Sequence, residues 1–228
     1  MKDGAEPPNV TAAAGCHVPG RRPVLTSDVQ APHREGVTVT RVPSHTIENA
    51  PDASRPILER LINVSPTGRL LDLHAQMAHS PATLAAYVSI RQATDQHGTL
   101  DLRVRSALML TTAGTVRSDY AVAITSALAQ RAGWSQAEIL TLRDGQSVGD
   151  DKIDSLADVI REAAARGGRV SDMSWQRAQA CGWSSEQLTE AFAYLGLTLF
   201  TAYFVSYAQT PVDLPAAAPA APAAGGQE

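Results

Sequence analysis

Apolar side chains recur at intervals of three and four residues through most of the chain. One such series is Leu70, Leu73 and Met77, and a second is Leu84, Tyr87 and Val88. This spacing returns to the same side of an α-helix, whereas a half-buried strand alternates at every second residue. The pattern therefore predicts an all-α fold.

Capping residues predict where several of these helices begin. Pro56 suits the first turn of a helix that continues to about residue 64. Ser80 opens a helix that runs to about residue 96, and Asp101 caps one that ends near residue 114. Ser135 and Ser184 are each followed three residues later by Glu or Gln, which is the spacing of a capping box.

A short internal repeat surrounds the last two of these helix starts. The seven residues that end at Ser135 read AQRAGWS and those that end at Ser184 read AQACGWS, so five of the seven positions match. Each segment is typical of a helix end, a glycine cap, a tryptophan and a new helix. We interpret the match as duplication of a helix-turn-helix unit; the alternative is one convenient helix junction used twice.

The two ends of the chain differ from the middle in composition. Residues 1–36 are rich in Pro, Gly and Ala without periodicity, and residues 215–228 read PAAAPAAPAAGGQE. Such segments bury too little apolar surface to offset the entropy of folding. We expect a disordered or arm-like N-terminal segment over residues 1–36, a helical domain over residues 37–214 and a disordered Pro/Ala-rich tail over residues 215–228.

Composition and charge exclude several classes of protein. The 228 residues are 44% hydrophobic and 18% charged, which is enough for a core, and the formal charge of −4 argues against a nucleic-acid binder. The longest apolar run, residues 195–207, is too short for a membrane span, and the N-terminus lacks a signal peptide, which predicts a cytoplasmic protein.

Cysteine and histidine placement predicts no metal site and no cofactor. Cys16 and Cys181 lie far apart, so they offer neither a disulfide framework nor a thiolate cluster. His74 and His79 are five residues apart, which does not align them as ligands on one helix face. We expect His74 and His97 at the surface.

Four segments together resemble one known family. They are MAHSP at residues 77–81, LDLRVR at 100–105, SDYAVAIT at 118–125 and Gly133 eight residues further on. In this order and spacing they resemble the carboxymuconolactone decarboxylase and alkylhydroperoxidase D (AhpD-like) superfamily, over residues 42–214. The resemblance implies an all-helical fold with an internal repeat, assembled as a homo-oligomer of three or six subunits.

The chain departs from that family at the positions that carry its chemistry. The resemblance places the two cysteines of peroxidase members at Ser118 and Ala121, the glutamate at Ser106 and the histidine at Thr125. None of these residues can cycle through a disulfide, so thiol peroxidase activity is disfavoured. In the decarboxylase branch the positions of Tyr120 and Ala121 hold acidic residues. This chain lacks them, so the decarboxylase mechanism is disfavoured as well.

The remaining side chains at these positions are the candidate site. Helical spacing places Arg117, Ser118, Ala121 and Thr125 on one face, opposite Ser106 on the preceding helix. The catalytic candidates are Tyr120, Ser118 and Thr125, and the substrate-binding candidates are Ser106, Arg117 and Ala121. Arg117 could grip a carboxylate in a bidentate manner. The alternatives are that the small residues only let two helices pack closely, and that Tyr120 is a core aromatic.

Two functions are consistent with this sequence. The first is a cofactor-independent enzyme that acts on an apolar small molecule or biosynthetic intermediate, by lyase, isomerase or cyclase chemistry based on proton transfer. The second is a non-catalytic oligomeric binding or scaffold protein in which the old pocket is packed shut. The two differ in whether a cavity exists around Ser106, Ser118, Tyr120 and Thr125.

Overall fold

The computed structural model describes residues 40–65 and 68–214. These residues form nine α-helices and contain no strand, which confirms the all-α prediction. The helices are α1 (Arg55–Asn63), α2 (Asp72–Met77), α3 (Pro81–His97), α4 (Leu102–Thr115), α5 (Asp119–Arg131), α6 (Gln136–Arg143), α7 (Asp151–Ala165), α8 (Asp172–Ala180) and α9 (Ser185–Ala208). The segment 1–36 with Cys16, and the tail 215–228, lie outside the described residues.

Local side-chain caps define the helix starts that the sequence predicts. The Ser80 and Asp101 side chains each accept a backbone N–H in the first turn of α3 and α4. Ser135 and Ser184 form complete capping boxes at the start of α6 and α9. Because these bonds join residues three apart, the sequence alone is enough to locate them.

Helix α4 lies at the centre of the fold and contacts α5, α6, α7 and α9. Leu108 and Leu110 are fully buried, and so is Ser106 on another side of the helix. A helix that is covered all round carries apolar and small residues on every face instead of one stripe. Helix α6 follows so closely that a Cβ atom at Gly114 would collide with the Arg143 carbonyl.

The helices α4–α6 and α7–α9 repeat one local design. Each repeat tryptophan is buried and follows a glycine with positive φ, 86° in the first copy and 90° in the second. Trp134 donates its indole N–H to the Arg103 carbonyl at 3.0 Å, and Trp183 donates to the Lys152 carbonyl at 2.7 Å. The Arg103 and Lys152 cations lie over the same rings. The predicted repeat is confirmed, and it also includes the helix before each turn.

Helix α9 is longer than the apolar run in its sequence indicates. It has 24 residues and contains an 18-residue stretch with a mean hydropathy of 1.4, which by length and composition alone is enough to cross a membrane. Half of its apolar stretch is buried inside the protein, where it packs against α3, α4, α5 and α7. A long core helix has the same length and hydropathy, so α9 is explained by its place in the fold.

Candidate functional site

Arg117 lies in the turn between α4 and α5 and not on a helix face. Its φ is 53°, in the left-handed region that usually holds glycine. Its N–H donates to the Gly114 carbonyl, and the N–H of Ser118 donates to the Ala113 carbonyl, which together form a Schellman turn. The prediction that Arg117 shares the α5 face is wrong, because α5 begins only after Ser118.

Ser118 and Tyr120 have structural partners. The Ser118 hydroxyl oxygen caps α5 by accepting the Ala121 N–H at 3.3 Å. The Tyr120 hydroxyl donates to Asp213 Oδ1 at 2.8 Å. Burial, together with the Asp213 carboxylate, raises the pKa of Tyr120 well above its ordinary value. Tyr120 therefore keeps its proton and ties α5 to the segment that follows α9.

The Ser106 hydroxyl belongs to the repeated packing of α4 and α7. Ser106 is fully buried and donates to the Arg103 carbonyl at 2.9 Å. Ser155, at the equivalent position of α7, is also fully buried and donates to the Lys152 carbonyl at 2.8 Å. The same bond in both copies indicates a structural role for this hydroxyl.

A cavity of about 220 Å³ lies beside α5 and receives side chains from α1 to α5 and from α9. Two of the sequence-predicted residues, Ala121 and Thr125, line it. The other four do not: they are Ser106, Arg117, Ser118 and Tyr120. Much of the wall is apolar, and includes Leu61, Leu71, Met109, Ile124, Leu128 and Leu197.

All four threonines in the cavity wall use their hydroxyl protons within their own helices, and Thr94 donates to the carbonyls of Ile90 and Arg91. Thr125 donates to the carbonyl four residues earlier at 2.7 Å, Thr198 does so at 2.9 Å and Thr201 at 3.0 Å. These bonds satisfy buried hydroxyls and leave the methyl groups and oxygen lone pairs free for a ligand. The threonines therefore shape the cavity and offer acceptors.

His74 is the cavity residue that sequence reasoning missed. It is 5% exposed, its Nε2 atom has no hydrogen-bond partner, and its ring packs against Tyr87 with 5.4 Å between the ring centroids. Burial, followed by the positive charge of Arg91, lowers the pKa of His74 to about 3. The imidazole is therefore neutral at pH 7. Buried polar groups without a partner are rare in native proteins and are often found at functional sites.

The expectation that His74 lies at the surface is wrong, although the sequence contained the signal. Leu70, Leu73, His74 and Met77 have the spacing i, i+3, i+4, i+7 of one helix face. His74 thus belongs to the apolar face of α2, which packs against α3 and α9.

A polar network includes three residues of the cavity wall, Asp95, Arg105 and Tyr194. Arg105 forms an ion pair with Asp95 at 3.4 Å. The Tyr194 hydroxyl donates to Glu190 at 3.1 Å, and Glu190 accepts the backbone N–H of Thr99 at 2.7 Å. Burial opposes ionisation of Glu190, but these hydrogen bonds outweigh it and lower its pKa. The network ties α9 to the loop between α3 and α4.

No thiol lines the described part of the cavity. Cys181 is a free cysteine of intermediate exposure at the end of α8, and it is not among the cavity residues. The described residues therefore supply no cysteine thiol that could act as a nucleophile in this cavity.

Solved structures of other proteins share this helical architecture. No protein-family profile matches the chain, and no curated protein matches it significantly. An alkylhydroperoxidase AhpD core protein, an uncharacterized peroxidase-related protein from Ralstonia eutropha JMP134, superposes with a TM-score of 0.68 at 13% identity. The match covers 76% of this chain and 92% of that one.

Two further structures share the arrangement. The debrominase Bmp8, in a cysteine-to-alanine variant bound to 2,3,4-tribromopyrrole, has a TM-score of 0.66 at 12% identity, over 77% of this chain and 92% of that one. An uncharacterized peroxidase-related protein from Silicibacter sp. TM1040 has a TM-score of 0.62 at 13% identity, over 77% of this chain and 95% of that one. The fold predicted from the resemblance is confirmed: this chain has the AhpD-like helical fold.

Proposed function

We propose that the protein is a cofactor-independent enzyme that acts on an apolar small molecule held in the cavity beside α5. The observation that carries the proposal is the buried, unpartnered imidazole of His74 in the wall of a largely apolar cavity. Pockets with an apolar wall and a few polar groups are the usual form of small-molecule sites. Lyase, isomerase or cyclase chemistry fits, because negative charge that develops on a substrate oxygen in such reactions is stabilised by a positioned hydrogen-bond donor.

The proposal does not include thiol peroxidase activity. Ala121 and Thr125 line the cavity at the positions where the resemblance places a cysteine and a histidine. A methyl group and a hydroxyl group that bonds its own helix cannot form a disulfide. That Bmp8 is a debrominase supports a catalytic role for this fold, and the reaction of this chain follows from its own residues.

Neutral His74 is suited to hydrogen-bond with a substrate oxygen. A neutral imidazole has one N–H donor and one acceptor nitrogen. Placed next to a carbonyl, the donor stabilises negative charge that develops on the carbonyl oxygen. The surrounding apolar wall strengthens that bond by excluding water.

The second candidate function is a non-catalytic binding or scaffold protein. It is favoured by one observation: the hydroxyls of Ser106, Ser118 and Tyr120 all have structural hydrogen bonds. The cavity expected around Ser106, Ser118, Tyr120 and Thr125 is not formed in the described part of the chain, because only Thr125 of these four lines the cavity beside α5. That cavity, of about 220 Å³, is what weighs against the scaffold. A binding protein without turnover would use the same cavity.

The proposal extends to a cytoplasmic homo-oligomer, the trimer or hexamer that the resemblance implies. Helix α9 has no charged residue between Ala191 and Ala208. Phe192, Tyr203 and Tyr207 on its outer side are 62%, 61% and 72% exposed. Exposed apolar stripes of this kind often mark protein interfaces, and a second copy of the chain is the occupant we propose. Light scattering of the purified protein measures the subunit number.

A pair of variants on α5 tests the cavity as the functional site. Thr125→Leu should fill part of the cavity and abolish binding of apolar small molecules in a ligand-observed NMR screen, with the thermal midpoint little changed. Ser118→Ala is the matched control, because it removes a cap outside the cavity at a cost of about 1 kcal/mol and should keep ligand binding. If Thr125→Leu instead loses about 1–3 kcal/mol of stability and ligand binding is unaffected, the pocket is a packed core and the proposal fails.

A further inference from the structure

The charged residues around the cavity are predominantly positive. The described lining contains three arginines and one carboxylate, namely Arg91, Arg105, Arg131 and Asp95. Asp95 forms an ion pair with Arg105, so its charge is already partly matched. Glu190, which accepts a hydrogen bond from the lining residue Tyr194, adds a second carboxylate, so three arginines stand against two carboxylates.

Arg91 is the cation that the cavity leaves unmatched. It is half-buried on α3, one turn after Tyr87. Within the described residues no hydrogen bond or ion pair engages its guanidinium group. Tyr87 packs on His74, so Arg91 and the imidazole lie on the same side of the cavity. The guanidinium charge acts on His74 from there.

Arg91 and His74 line the same cavity. The Arg91 guanidinium has no anionic partner there, and His74 Nε2 has no hydrogen-bond partner. A guanidinium group pairs best with a planar oxyanion, which it can hold through two parallel hydrogen bonds. A neutral imidazole can donate one more hydrogen bond to such an anion. A buried polar atom that stays unpaired costs free energy, which a ligand with these acceptors would recover.

We propose that the cavity binds an apolar organic acid, with the ligand carboxylate between the Arg91 guanidinium and the His74 imidazole and the apolar body against the wall of α1, α4 and α5. The inference rests on the proposed function, whose substrate class it names. It moves the carboxylate-binding role that the sequence suggested for Arg117 to Arg91. Arg117 is exposed in a turn and does not line the cavity.

Matched pairs of acids and primary amides test this inference on the full-length protein. The probes are 4-methylbenzoate with 4-methylbenzamide and cyclohexanecarboxylate with its amide, titrated by ligand-observed NMR and calorimetry. We expect each acid to bind at least tenfold more tightly than its amide. Arg91→Met, which keeps the aliphatic stem, should reduce the acid to the affinity of the amide.

Arg169→Met is the control, because Arg169 is exposed between α7 and α8 and does not line the cavity. It should keep the preference for acids. If acid and amide bind equally and Thr125→Leu still blocks both, the inference is wrong and the proposed function stands. If none of the probes binds at millimolar concentration, both are overturned. An acid preference that survives Arg91→Met reflects surface charge and also overturns the inference.

Discussion

Replacement of His74 by leucine should make the protein more stable at pH 7 and remove the imidazole that is proposed to hydrogen-bond with the ligand. His74 is buried with an unpartnered Nε2 atom. A buried polar group without a hydrogen bond costs about 1–3 kcal/mol, and leucine has a similar volume without that cost. We therefore expect His74→Leu to raise the free energy of unfolding by about 1–3 kcal/mol while it impairs ligand binding or turnover.

The same substitution should change how stability depends on pH. The pKa of His74 is lowered from 6.5 to about 3 by burial and by Arg91. Between these two values the unfolded chain binds a proton at His74 and the folded chain does not, so stability falls as the pH falls. From pH 7 to pH 5 this linkage removes about 2 kcal/mol, and above pH 6.5 it has almost no effect. His74→Leu lacks this contribution.

Urea denaturation followed by circular dichroism at pH 7, 6 and 5 measures both effects. The stability difference between His74→Leu and the natural protein should widen by about 2 kcal/mol from pH 7 to pH 5. His97→Leu, at the exposed end of α3, controls for the loss of an imidazole outside the cavity. Parallel pH curves for His74→Leu and the natural protein would refute the reasoning, since they would mean that the folded His74 is readily protonated.

Two further substitutions test the roles assigned to the other sequence-predicted residues. Arg117→Gly should stabilise the protein by about 0.5–1 kcal/mol in thermal or urea unfolding, because a side chain at positive φ costs more free energy than the added freedom of glycine in the unfolded chain. Loss of ligand binding in this variant would show that Arg117 belongs to the binding site. Tyr120→Phe should lose about 1–2 kcal/mol with the Asp213 hydrogen bond and keep ligand binding. Lost turnover at unchanged stability would instead make Tyr120 catalytic.

The sequence by itself determined the helical class, several helix starts and the repeat. Ser80, Asp101, Ser135 and Ser184 cap helices through bonds to residues three positions away, so short windows of sequence contain the whole interaction. In the repeated Gly-Trp-Ser junction, the glycine turn and the serine cap likewise depend only on residues close in sequence. Only the indole contact to the carbonyl of residue 103 or 152 joins distant parts of the chain.

Tertiary structure decided which side chains meet in the cavity. Helical spacing placed Ala121 and Thr125 on the correct face, but the remainder of the wall comes from helices far apart in sequence. The partner of Tyr120 is Asp213, 93 residues away, and no periodicity predicts such a pairing. His74 is buried because α2 packs against α3 and α9, which withdraws its imidazole from water. Local sequence patterns determine the helices. Long-range packing decides which polar groups stay exposed to solvent, which form hydrogen bonds within the protein, and which are buried without a partner and can bind a ligand.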